Sequence, residues 1–182
     1  MLRLLLLLLA LMVAFQIPTV SEMVLWDRAL IHHGELWRIV TGNFTHTNFA
    51  HLLMNSGALI IFYLLFKEYL NNQILLPLLL STSLVVGLSI FLTDIDLYFG
   101  LSGVIHGLLA WGAVKDIQYG RQSGYWLLGG IIAKVIWEQL FGASSSTMVL
   151  IDARVAIEAH LAGLIYGIVF ALLMWSYKRI RG

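Results

Sequence analysis

The chain has 182 residues, of which 60% are hydrophobic and 12% charged, with a formal net charge of +1. An ordinary soluble domain has about 25% charged residues, so this composition excludes that class and points to a polytopic membrane protein. The near-zero charge argues against nucleic acid as a partner. Because the chain has no cysteine, disulfides, thiol nucleophiles and cysteine metal ligands are ruled out, and any nucleophile must be Ser, Thr, Lys or a carboxylate.

Residues 4–17 form an apolar run behind Arg3 that has the length of a signal-peptide core. No small-x-small cleavage site follows and five more apolar runs do, so the expectation is a retained first transmembrane helix. Residues 21–48 read as one long polar loop, with Trp26 and Trp37 expected at the membrane–water interface. Further apolar runs fall at 50–66, 74–93, 102–117, 126–141 and 157–177. The predicted fold is therefore all-α, a polytopic bundle of six transmembrane helices forming a single membrane domain over residues 1–182. The run that starts at Ser102 would be roughly 24 Å long as a helix, less than the roughly 30 Å hydrocarbon core, so it is expected to begin below the membrane surface.

With the N-terminus inside, Arg3, Lys67, Lys115, Arg121, Lys178, Arg179 and Arg181 fall on the cytoplasmic side and Arg28, Arg38 and Arg154 on the outer side. The excess of basic residues inside supports that orientation, with both termini cytoplasmic. Lys134 lies within the fifth span, four residues before Glu138, and the two read as a pair that neutralises itself on one helix face.

Polar groups inside apolar spans are costly unless they are paired or used. His46, His51 and Asn55 open the second span, Ser102 and His106 the fourth, and Glu158 and His160 the sixth. In the orientation above, all seven lie toward the outer leaflet. Gly103 and Gly107 form one small-residue face and Gly163 and Gly167 another, and such faces allow helix backbones to approach closely in lipid. His160 lies three residues before Gly163, and Ser102 lies next to Gly103. If the two faces pack together, Ser102 and His160 meet.

A serine hydroxyl becomes an effective nucleophile when a base takes its proton, and neutral imidazole is the usual base near pH 7. Ser102 fits the first role and His160 the second. Glu158 is two residues from His160, about 200° around a helix, and points away, so the expectation is a dyad with no carboxylate. Acyl transfer also needs donors for the developing oxyanion; the Ser102 amide, His51 and the Asn55 side chain are the candidates. Gly100 and Gly103 let the backbone turn sharply into the helix and keep side chains away from the Ser102 hydroxyl.

These residues resemble the rhomboid intramembrane serine proteases. The match includes Trp37-Arg38, the His-x4-His-x3-Asn pattern of His46, His51 and Asn55, the string Gly100-Leu101-Ser102-Gly103, and His160 with Gly163 and Gly167. The resemblance implies a six-helix bundle with Ser102 as nucleophile, His160 as general base, His51 and Asn55 in the oxyanion hole, and structural parts for His46 and the Trp37-Arg38 loop. It implies no cofactor and no metal. Where many rhomboids carry Tyr four residues after the nucleophile, this chain has His106, whose ring on the same helix face is expected to stack on His160 or hydrogen-bond to it. The strings Ser-Gly-Val-Ile-His-Gly and Glu-Ala-His-Leu-Ala-Gly look most like the rhombosortase branch. For that branch the resemblance implies single-pass exported substrates with a C-terminal Gly-Gly, an apolar helix and a basic tail, cut near the periplasmic face of the bacterial inner membrane.

Three rival classes fit less of the sequence. A metal enzyme would draw on His46, His51, His106 and His160, but the HExxH pattern of intramembrane metalloproteases is missing. A non-catalytic rhomboid-like protein that binds membrane segments would be expected to lack the serine or the histidine. A transporter with broken helices would show paired repeats in its two halves.

Overall fold

The computed structural model describes residues 1–181, with side chains described as far as residue 177. The side chains of Lys178, Arg179 and Arg181, counted above on the cytoplasmic side, lie outside the described residues. The helices are α1 (Leu2–Ala14), α2 (Pro18–Val24), α3 (Arg28–His32), α4 (Arg38–Thr41), α5 (Phe49–Phe66), α6 (Asn72–Ser89), α7 (Ser102–Gln118), α8 (Gln122–Phe141), α9 (Ser145–Ile151) and α10 (Ile157–Arg181). Two short strands, β1 (Trp26–Asp27) and β2 (Leu97–Tyr98), pair antiparallel, with Trp26 opposite Tyr98. The molecule is an all-α polytopic membrane bundle, and each of the six apolar runs contains a helix.

The helices differ in reach. Among the described residues, α5, α10 and α6 with its 3₁₀ extension to Leu92 are long and apolar enough to cross a bilayer on their own. α1 has 13 residues, and α2 follows it at a bend of 105° where Pro18 opens the new helix. α8 and α9 are likewise bent by 90°. α7 has 17 residues, about 25 Å of rise, and is buried along most of its length at the centre of the bundle. The starts of α5 and α6 are capped by side chains: those of Asn48 and Asn71 accept from the amides of His51 and Ile74 at 2.9 and 3.0 Å.

The glycine faces on α7 and α10 meet. A Cβ on Gly163 would lie 1.9 Å from the Gly103 carbonyl oxygen, and one on Gly167 would lie 2.0 Å from that of Gly107. Any side chain at either position would force the helices apart, so the glycines set the distance between the two backbones.

The polar stretch 21–48 differs from the interface loop expected. It is a hydrogen-bonded plug packed on α6, and Trp26 is fully buried. Trp26 Nε1 donates to the Gly87 carbonyl at 2.9 Å, and Asn43 Nδ2 donates to the Ser83 carbonyl at 3.0 Å. Arg28 donates to the carbonyls of Ile90, Thr93 and Ile95, fixing the chain that leads into β2. Trp37, by contrast, is 53% exposed, and its Nε1 donates to the Met23 carbonyl. Arg38 is buried; it donates to the Glu22 and Leu25 carbonyls at 2.9 Å and pairs with Glu35 at 2.7 Å. A fixed guanidinium fork can close a loop in this way because it satisfies several carbonyls at once.

Candidate active site

Ser102 is the first residue of α7. It is brought there from β2 by Gly100, whose φ of +109° favours glycine, and by the Tyr98 hydroxyl, which donates to the Gly100 carbonyl at 2.8 Å. A Cβ on Gly100 would lie 2.6 Å from His51 Nε2 and 3.5 Å from Asn55 Nδ2, so the bare backbone lets this turn sit against α5.

His160 is supplied by the first turn of α10 and is 4% exposed. Its Nε2 lies 2.9 Å from Ser102 Oγ. Its Nδ1 lies 2.8 Å from Glu138 Oε2 on α8. The expectation of a histidine without a carboxylate partner is therefore corrected. Glu158 does turn away, pairing with Arg154 at 2.8 Å, but the acid comes from another helix. Sequence reasoning missed Glu138 because Lys134 accounted for its charge. The pair exists, with Lys134 Nζ 2.6 Å from Oε1, but it occupies one carboxylate oxygen and leaves the other for His160. The signal in the sequence was a carboxylate within the apolar run 126–141, a group that is costly to bury and is usually put to use, and the structure shows it 9% exposed.

His106 is one turn into α7. Its ring stacks on that of His160, with centroids 4.1 Å apart and planes 19° from parallel. Its Nδ1–H donates to the Ser102 carbonyl at 2.7 Å.

On the α5 side, Asn55 is buried and its Nδ2 has no hydrogen-bond partner, so it is a donor left free beside the Gly100–Ser102 turn. The Ser102 amide, at the start of a helix, likewise has no intrahelical acceptor. His51 is bound differently. The Thr47 hydroxyl donates its one proton to the Ile151 carbonyl at 2.5 Å, so it accepts from His51 Nδ1–H at 3.1 Å. Nε2 of the neutral ring is then an acceptor, and the donors ready for an oxyanion are Asn55 Nδ2 and the Ser102 amide. His46 packs edge-on against His51 at 5.0 Å. It is buried with both ring nitrogens unpartnered, and burial, with the His51 ring adding to it, pushes its pKa down to about 3.

Ser102 lies between two cavities. The larger, about 690 Å³, is bounded by α5, α7 and α8 and lined by apolar side chains such as Met54, Leu109, Trp137 and Phe141. The smaller, about 140 Å³, lies under β2 and the 151–156 segment. Both reach Ser102 and His51.

The four-histidine metal set weighed above does not form the potential ligand cluster. Among the described residues that cluster is His106, Glu138 and His160, with donor atoms within 4.8 Å of one another. The His106 and His160 rings are nearly parallel and aim their lone pairs along separate planes. Both His160 nitrogens and His106 Nδ1 are already hydrogen-bonded within the site, so the arrangement fits proton handling better than metal ligation.

A serine hydroxyl bound to a buried imidazole, with free donors beside it and an apolar chamber in front, is equipped for acyl transfer within a membrane. Comparisons with known proteins agree. The rhomboid domain family model matches residues 33–177. The chain is 27% identical over 175 residues to a putative rhomboid protease of Bacillus subtilis, YdcA, covering 92% of this chain and 84% of that protein. It is 26% identical over 146 residues to the rhomboid protease GlpG of Haemophilus influenzae, covering 77% of this chain and 70% of that protein. The chain belongs to the rhomboid family and is a multi-pass membrane protein with the architecture of an intramembrane protease.

Proposed function

We propose that the chain, working as one unit over residues 1–182, is a serine endopeptidase that cuts membrane-anchored segments, with Ser102 as nucleophile and His160 as general base. The observation that carries this reading is the 2.9 Å contact between His160 Nε2 and Ser102 Oγ, made by two helices held together through their glycines. Ser102 Oγ attacks the scissile carbonyl and its proton passes to His160 Nε2. Asn55 Nδ2 and the Ser102 amide receive the oxyanion, and His160 returns the proton to the leaving amine. His51 and His46 hold the wall behind the oxyanion donors, and Trp37 and Arg38 hold the loop beneath it. The two relatives, both named as rhomboid proteases, support the reaction type.

The sub-family reading is finer. His106 in place of tyrosine, together with the strings around Ser102 and His160, favours a rhombosortase that processes exported proteins bearing a C-terminal Gly-Gly, an apolar helix and a basic tail. The site would then face the periplasm from the inner membrane, with both termini cytoplasmic, as the distribution of basic residues supports.

The test is a fluorophosphonate probe on the full chain in proteoliposomes, read alongside cleavage of an anchored substrate. Wild type should be labelled at Ser102, and Ser102→Ala and His160→Ala should each lose labelling and cleavage while remaining inserted and folded. Labelling that survives in Ser102→Ala overturns the assignment.

A further inference from the structure

We infer that Glu138 is a positioning residue for His160 and that Lys134 keeps Glu138 charged, so that three residues on α8 and α10 act as one unit behind Ser102. The inference rests on the Ser102–His160 reading but departs from its two-residue form.

The protons available fix the tautomer of His160. An ionised carboxylate only accepts, so at 2.8 Å from Glu138 Oε2 the His160 Nδ1 must carry the hydrogen. In neutral imidazole that leaves Nε2 bare, and Nε2 is the atom 2.9 Å from Ser102 Oγ. The tautomer a general base needs is thus fixed by Glu138. The opposite tautomer would place a hydrogen between Nε2 and the serine and leave the base unable to accept.

Burial strengthens the pull of Glu138 on His160. Glu138 and His160 are 9% and 4% exposed, so an imidazolium formed there has little water to stabilise it. When the Ser102 Oγ–carbon bond forms, the hydroxyl proton moves to Nε2 and His160 becomes positive, while the carboxylate keeps its charge and its hydrogen bond without taking the proton. A fixed negative group within hydrogen-bond reach favours that state over the neutral ground state, which is the differential interaction that raises a rate.

Lys134 supplies what Glu138 needs in turn. A lone carboxylate in apolar surroundings neutralises itself by taking a proton, and a protonated Glu138 would no longer be a pure acceptor. Lys134 Nζ, 2.6 Å from Oε1, holds the charge in place and orients the carboxylate so that Oε2 faces His160. The Lys134 side chain is half exposed and lines the large chamber, so it pairs with Glu138 without closing the route to Ser102. The stacked His106 ring limits movement of His160 from its other face.

The test uses the full chain in proteoliposomes, with kcat and KM for an anchored substrate, the rate of fluorophosphonate labelling, and the proton NMR signal of a histidine N–H bonded to carboxylate. Glu138→Gln should lower kcat by about a hundredfold or more with KM within about twofold, since the analogous acid-to-amide change in serine proteases costs about ten-thousandfold. The far-downfield N–H signal should disappear. Lys134→Met should lose less, on the order of tenfold, and Lys134→Arg, which keeps the charge, should recover most of that. The double variant Lys134→Met/Glu138→Gln should be no slower than Glu138→Gln alone, because the lysine acts through the glutamate. A kcat for Glu138→Gln within about twofold of wild type, or lysine and glutamate losses that multiply, overturns the inference and leaves the Ser102–His160 pair standing. Should Glu138→Gln fail to fold, the contrast between Lys134→Met and Lys134→Arg decides it: equal activity in those two overturns it. Survival of Ser102→Ala labelling is a separate failure that strikes the nucleophile assignment itself.

Discussion

At the scale of single residues, two histidines packed around the site, His106 on His160 and His46 on His51, have different roles. His106 stacks on the proposed base and donates to the Ser102 carbonyl, so it limits ring rotation without touching the proton in transit. His106→Ala should therefore slow cleavage yet leave Ser102 open to fluorophosphonate, and His106→Tyr, which restores a stacking ring, should keep more activity than Ala does. Cleavage by His106→Ala at the wild-type rate would remove the orienting role. His46 is instead a stability residue. Burial holds its pKa near 3, while an unfolded histidine titrates near 6.5, so the unfolded chain takes a proton that the folded one refuses. Its effect on stability is therefore constant above about pH 6.5 and turns increasingly unfavourable as pH falls from there toward about 3. His46→Leu should flatten that acid-side loss in a melting series in detergent, and parallel profiles for the two proteins would contradict it. Both histidines were legible in the sequence as polar groups in apolar surroundings. Glu138 was legible only as half of an ion pair, because a periodicity argument sees the neighbour four residues away on the same helix and not a partner 22 residues on.

At the scale of elements, the α7–α10 seam turns a packing motif into chemistry. With Gly163 1.9 Å from the Gly103 carbonyl as a Cβ would see it, Gly163→Ala must push the helices apart, and His160, one turn earlier on α10, moves with them. Overpacking of this kind costs about 1–3 kcal/mol, and the activity loss should exceed the stability loss because Ser102 and His160 lose their contact. Gly129→Ala and Gly130→Ala on α8, where a Cβ meets nothing within 4 Å, serve as controls and should leave melting unchanged or slightly raised. A Gly163→Ala protein as stable and active as those controls would mean that the seam does not set the site. Small residues four apart made this contact readable in advance. The 21–48 plug was not readable in the same way. Its order comes from side chains reaching carbonyls on α6 and in the 90–95 segment, as Trp26, Asn43 and Arg28 do, and composition alone shows only a polar stretch. The bend after Ala14 escaped for a related reason: a hydropathy run continues through Ile17, and only the helix that opens at Pro18 shows that the chain has turned.

At the scale of the whole molecule, two cavities of unequal size meet at Ser102. The large chamber, about 690 Å³, is walled by apolar side chains of α5, α7 and α8. The small chamber, about 140 Å³, is comparable to a cavity that holds one benzene, so whatever enters it must be slight. An intact helix also hides its carbonyls in its own hydrogen bonds, and a segment that is to be cut has to unwind at the serine. Glycine meets both demands, since it weakens the helix and adds no side chain to the small chamber. A substrate whose C-terminal anchor is preceded by Gly-Gly should be cut at or beside that pair when co-expressed with the full chain, giving a new C-terminus readable by mass spectrometry. Changing the pair to Leu-Leu fills the space and strengthens the helix together, and should abolish processing while the tail still inserts. Processing of the Leu-Leu tail at an unchanged site and rate would show that neither the size of the small chamber nor helix unwinding selects the substrate, and would leave only the broader protease reading.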